Sequence, residues 1–207
     1  FIKNSKSEIP LKVNLIEQGE KNHLRFSYGD LLRGRFVLRD KKSEGYIIAG
    51  PEKQTISILP NQIRLVGSFK EIDLRGLSKF DINLDSFSGN PLFIENLNIK
   101  QAKLSSTIII DTDIKMKPSS KGTVLSLKNR DFSGSVLVKN NQEVDVKLDF
   151  LKINQNQTQE EAFFVSVFNA INTPISFSVE SLHLGPKSYG NWSFKLFPSK
   201  DSLILID

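Results

Sequence analysis

At 207 residues, 39% of them apolar and 25% charged, the chain is long enough to build its own core and too apolar for a disordered polar segment. No apolar run approaches the ~20 residues that cross a bilayer as a helix, and cysteine is absent, which removes thiol nucleophiles, Cys-ligated zinc and disulfides together. The 28 basic residues against 23 acidic leave +5, but Lys outnumbers Arg 21 to 7 and the densest basic cluster is Lys41-Lys42, so no nucleic-acid partner is expected. A weak attraction to anionic lipid headgroups stays open. The chain starts at Phe1 and stops at Asp207, directly after Leu203-Ile204-Leu205-Ile206, and residues 1–207 read as one fragment of a longer protein.

Alanine occurs only four times, while Ile, Val, Phe, Thr, Ser and Asn are plentiful, a composition of strands and turns. In chain order, period-two alternation appears at Leu11/Val13/Leu15 and Leu24/Phe26/Tyr28. Turn chemistry follows at 41–45, Gly50-Pro51 and Leu59-Pro60-Asn61. From Thr107 to Lys117 the residues Ile108, Ile110, Thr112, Ile114 and Met116 fall on one face, and Ile109, Asp111, Asp113, Lys115 and Lys117 on the other. A turn at 118–122 precedes Leu125/Leu127, and Asn140-Asn141 marks the next. Val144, Val146, Leu148 and Phe150 then oppose Glu143, Asp145, Lys147 and Asp149. The phase slips after Phe150, toward Leu151 and Ile153, and again between Ile175/Phe177/Val179 and Leu182/Leu184, as a bulge would make it. Gly185-Pro186, Trp192/Phe194/Leu196 and Pro198-Ser199 complete the series. Short connections predict antiparallel neighbours.

Two segments read as helical. Thr158-Gln159-Glu160-Glu161 has the form of a capping box ahead of Phe164, Val167, Phe168 and Ile171, and Pro174 limits the run. With the polar stretch before it, 155–173 is expected to be a loop and helix insertion. Ser68-Phe69-Lys70-Glu71 is a second box before 72–80.

Catalytic chemistry does not assemble. No His-x-His, His-Glu-x-x-His, Gly-x-Ser-x-Gly or Gly-rich phosphate loop is present, and His23 and His183 stand apart from one another. Asp111 and Asp113 share a strand face with Lys115 and Lys117, which reads as a solvated charge row rather than a metal or glycosidase pair. The expectation is a protein that is not an enzyme, with no metal and no cofactor. A dozen or more amphipathic strands with at most two helices must cover their oily faces by closing on themselves. Either two sheets meet in a dry β-sandwich, or one strongly curled sheet leaves an apolar trough that holds something greasy.

From about Ile63 onward the chain resembles the YhdP-type proteins, members of the AsmA-like/TamB superfamily of Gram-negative envelope proteins. The residues that carry the likeness are Gln62-Ile63-Arg64-Leu65-Val66-Gly67-Ser68-Phe69, Ile72-Asp73-Leu74, and Thr173-Pro174-Ile175-Ser176-Phe177-Ser178-Val179. With them go Leu182-His183-Leu184-Gly185 and Gly190-Asn191-Trp192-Ser193-Phe194. The resemblance implies an all-β fold with one or two short helices, an elongated, strongly curled antiparallel sheet forming an apolar groove. It also implies a periplasmic location, anchored in the inner membrane by an N-terminal helix outside these residues. Phospholipid acyl chains would be the partner, passing toward the outer membrane and supporting its integrity, with inner- and outer-membrane components met by other parts of the protein. On that view the groove lining is Ile108, Ile110, Ile114 and Met116, then Val144, Val146, Leu148 and Phe150, then Ile175, Phe177 and Val179, and finally Trp192, Phe194 and Leu196. The alternatives are a closed β-sandwich binding or adhesion module, a soluble carrier resembling a lipoprotein chaperone, and an enzyme on a β scaffold, which would need a polar pocket cluster.

Overall fold

A computed structural model describes residues 9–19, 21–39, 42–52, 54–73, 91–104, 107–153, 173–198 and 203–206. Strands dominate them, as the β-branched and aromatic content requires, and no helix occurs among the described residues. The strands are β1 (Leu11–Gln18), β2 (Lys21–Tyr28), β3 (Leu32–Arg39), β4 (Lys42–Ala49), β5 (Ile63–Phe69), β6 (Ile72–Asp73) and β7 (Leu92–Leu104). They continue as β8 (Thr107–Ser119), β9 (Gly122–Lys128), β10 (Phe132–Lys139), β11 (Val144–Ile153), β12 (Ile175–Leu184), β13 (Lys187–Pro198) and β14 (Leu203–Ile206). All fourteen belong to one sheet whose spatial order follows chain order, with the two-residue β6 paired to β7 beside β5.

The sheet is curled and does not close, because β1 and β14 do not pair. Substantial strand-to-strand contact is confined to neighbours in the sheet. A sandwich of two sheets, one of the two closures open to the sequence, is therefore not formed among the described residues.

Most hairpins turn where the sequence places turns. Gly185 takes φ +57 between β12 and β13, and Ser119 Oγ donates to Gly122 O at 2.9 Å between β8 and β9. Asn129 is a turn device of its own: its Oδ1 accepts from the amides of Asp131 and Phe132 at 2.8 and 2.7 Å, closing the β9 to β10 turn. One expected turn is displaced, since Lys42 to Gly45 are the first half of β4 and pair with β3.

Three neighbouring pairs on the main path, β4 with β5, β5 with β7, and β11 with β12, are parallel, where antiparallel pairing was expected. Each follows a long connection, and parallel partners require one because the chain must return to the same end of the sheet. The helical signal at Thr158-Glu161 and the 155–173 insertion fall in the connection before β12, outside the described residues except Thr173. The second capping-box reading is overturned at its start: Ser68 and Phe69 pair with Asn98 and Ile99 in β5, and Ile72–Asp73 is a strand. Phe69 packs on a buried cluster, so ladder bonds and burial outweigh the local capping option.

That cluster is Ala49, Leu97, Ile99 and Ala102, with Leu32, Leu65, Ile94, Ile109 and Ile114 packed against it. Gly67, at φ +109 beside it, is a position only glycine fits comfortably, since a Cβ there would meet the Ala49 carbonyl oxygen.

Candidate functional site: the apolar face

Residues directly opposite in adjacent strands share a sheet face, so the pairing registers trace what each face presents. One row runs Val13, Phe26, Gly34, Ile47, Leu65, Ile94, Met116, Leu125, Val136, Val146, Phe177 and Phe194. A second, beside it, runs Leu11, Tyr28, Leu32, Ala49, Gly67, Leu97, Ile114, Leu127, Gly134, Leu148, Val179 and Trp192. Apart from the Tyr28 hydroxyl and the Trp192 indole N–H, neither row contains a polar side-chain group. At ~4.8 Å between strands, each spans roughly 50 Å across the sheet.

At two of its glycines this face is filled by a neighbouring ring. The rings of Phe26 and Phe36 occupy the space that a Cβ would need at Gly34 and Gly45 on the neighbouring strands. Toward β13 the face becomes aromatic, where Phe177 and Phe194 stack at 4.8 Å between centroids. Leu125, Val136, Val146 and Phe177 along the middle are only half-buried, and Trp192 is 51% exposed with its Nε1 donating to Tyr189 O at 3.1 Å. The face is therefore partly open and partly closed, since Ala49, Leu97, Ile175, Val179 and Leu196 on it are buried.

Eleven of the fourteen expected lining residues meet on this face: Ile114, Met116, Val144, Val146, Leu148, Ile175, Phe177, Val179, Trp192, Phe194 and Leu196. Three do not. Asp111 adopts φ +47, and the alternation skips a residue there. Ile109 consequently packs on the buried cluster alongside Ala102, while Ile108 is 54% exposed, and Ile110, two residues on and opposite Gln101, falls on the same side as Ile108. Phe150 is displaced by the bulge at Ser133/Gly134, which makes Leu151 rather than Phe150 the successor of Leu148. Its ring instead lies under Lys152 Nζ at 5.3 Å on the other side. The slip expected after Phe150 thus occurs before it, and the one between Val179 and Leu182 is where it was expected.

Residues of this face that the sequence did not single out include Ile47, Leu65, Ile94 and Val136. Val136-Leu137-Val138 is uniformly apolar, and the irregularity between Ile94 and Leu97 breaks the period, so alternation gave no phase at either place.

The opposite face is polar from β8 to β13, with Lys115, Ser126, Ser135, Lys147, Ser178 and Ser193 in one row, whereas at β3 to β5 it carries the buried Val37, Ile48 and Val66. A cavity of about 1160 Å³ lies on this side, bordered by residues of the 52–57 segment. Arg64 sits at its wall, donating from Nη1 to Ser57 O at 3.0 Å and from Nε to Glu95 Oε1 at 2.6 Å, with Nη2 on the second carboxylate oxygen. This bidentate pairing holds the Arg64 guanidinium above its ordinary pKa. The carboxylates here are separately engaged: Asp113 accepts from Asn98 at 2.8 Å, Asp149 from Ser133 at 2.8 Å, and Asp111 pairs with Lys100 at 3.0 Å. Ser181 Oγ and His183 Nε2 are 2.8 Å apart, and the residues opposite His183 in the neighbouring strands are Lys152 and Ser188 rather than a carboxylate. Among the described residues no three His, Asp or Glu converge as a metal site.

No known family matches the chain, and no curated protein or solved structure matches it.

Proposed function

We propose that this chain is a section of a lipid conduit, which carries phospholipid acyl chains along the apolar face of its curled sheet. The observation that carries the reading is the pair of unbroken apolar rows from β1 to β13. They run perpendicular to the strands for roughly 50 Å, whereas one leaflet of a bilayer's hydrocarbon core is ~15 Å deep. A surface several acyl chains long suits passage better than storage of one ligand. Burial of each methylene is worth ~0.8 kcal/mol, so such a face lowers the cost of moving a chain through water with no covalent step. The likeness to YhdP-type proteins supplies the setting: the periplasm, an inner-membrane anchor outside these residues, and delivery toward the outer membrane.

The test is lipid content and transfer. Lipids extracted from the purified chain are expected to be phospholipids by mass spectrometry. Val146→Asp, placing a carboxylate in the middle of the first row, is expected to abolish lipid retention and transfer between vesicles while leaving melting within a few degrees of wild type. An unfolded Val146→Asp would mean a dry core at this position, and a folded variant with full transfer would overturn the conduit.

A further inference from the structure

Four of the chain's seven arginines, Arg25, Arg33, Arg35 and Arg39, fall within β2 and β3. Arg39 has a partner, Glu44, at 2.9 Å. The other three do not: among the described residues no ion pair or hydrogen bond joins any of them to an acceptor. They share the polar face, on the side of the sheet away from the apolar rows. Arg25 lies directly opposite Arg35, and Arg33 lies two residues further along β3, opposite Ser27. Ser27 in turn faces Lys12, and Arg25 faces Asn14 of β1.

Like charges placed directly opposite on a sheet repel, and among the described residues no acceptor pairs with these three guanidinium groups. Two guanidinium nitrogens, Arg33 Nη2 and Arg35 Nε, are moreover shut off from solvent without an acceptor. Partial desolvation of a cation without a counter-charge is unfavourable in the free protein and is relieved when an anion arrives. These side chains border a recess of about 570 Å³, and among its described lining residues there is no carboxylate.

We infer that the recess formed by Lys12, Arg25, Arg33 and Arg35 is a binding site for a phosphate group. Guanidinium forks match phosphoryl oxygens two at a time, and three of them with an ammonium can neutralise a doubly charged anion that a single lysine would hold only as a point charge. Opposed residues stand ~5 Å apart and Arg33 lies ~7 Å along the strand, a span that fits a monoester or a pyrophosphate. The phosphate is either a small soluble anion or the exposed headgroup of an anionic lipid. Because the site is on the opposite face from the lipid path, it stands or falls independently of the conduit.

Calorimetric titration of pyrophosphate into the 207-residue chain at low salt tests this. Saturable binding is expected, weakened at least about tenfold in Arg33→Gln/Arg35→Gln and unchanged in Lys117→Gln, an exposed lysine elsewhere on the polar side. The double variant should melt at or above the wild-type temperature, since a repulsive cluster has been discharged, so weaker binding cannot be put down to unfolding. Flotation with phosphatidylglycerol vesicles separates the sources. Vesicle binding displaced by pyrophosphate identifies a lipid headgroup, and pyrophosphate binding without vesicle binding identifies a soluble phosphate. No saturable pyrophosphate binding, an equal loss in Lys117→Gln, or binding of polyglutamate but not of pyrophosphate would each overturn the site.

Discussion

Phe177 on β12 and Phe194 on β13 lie directly opposite each other and stack at 4.8 Å with 17° between their planes, on the face that carries the apolar rows. The pair joins β13 to the strands before it through side chains as well as through the backbone ladder. In a double-mutant cycle with Ala at both positions, measured by urea denaturation, the coupling is expected at ~0.5–1.5 kcal/mol. Additive single effects would mean that the rings act only as separate apolar area.

The shift of phase at Asp111 separates two neighbouring isoleucines. Ile109→Asp puts a carboxylate against the buried cluster and is expected to cost more than ~3 kcal/mol, while Ile108→Asp at an exposed position stays within ~0.5 kcal/mol of wild type. Thermal melts of the two variants check this, and the reverse order would restore regular alternation through β8.

Gly67→Ala is expected to cost ~2 kcal/mol or more. It combines a left-handed backbone at φ +109 with a methyl group driven against the Ala49 carbonyl oxygen. Chemical denaturation measures it, and a loss below ~0.5 kcal/mol would mean that β4 and β5 separate easily at that point.

One acid-sensitive contact has a definite sign. The Lys139 ammonium, hydrogen-bonded to Glu143 at 3.2 Å and to Asp145 at 3.0 Å, holds the Glu143 carboxyl below its ordinary pKa, with Asn141 adding to the effect. A depressed folded pKa means that the contact's stabilisation is present at neutral pH and above, and is lost as pH falls through the folded value. In Lys139→Gln the Glu143 midpoint, followed by carboxyl carbon NMR, is expected to rise toward the ordinary glutamate range, and an unmoved midpoint would refute the pairing.

Strand character and the face of each strand were largely legible, because a half-buried strand must alternate and Val144 to Leu148 or Ile175 to Val179 leave no other period. What failed was the count across irregularities. A left-handed Asp111 and an extra residue at Asp149 each shift the phase by one, and neither residue type announces it. Parallel pairing was missed because direction is set by where a connection returns, which local pattern does not encode. The arginine recess was not singled out because Arg25 is separated from Arg33 and Arg35 by a turn, and the three meet on one face only when β2 and β3 pair.

Among the described residues substantial strand contact is confined to sheet neighbours, which makes this sheet mechanically close to one-dimensional. Each strand leans on the next, so cooperativity passes along the sheet as through a row of coupled links rather than through a central core. The terminal link β1 has every residue exposed and a single neighbour, so it opens at least cost, while the links around β7 and β8 hold the buried cluster. A sheet of this kind can gain or lose strands at an end without disturbing the middle. Its length is a quantity that can be set independently of its stability.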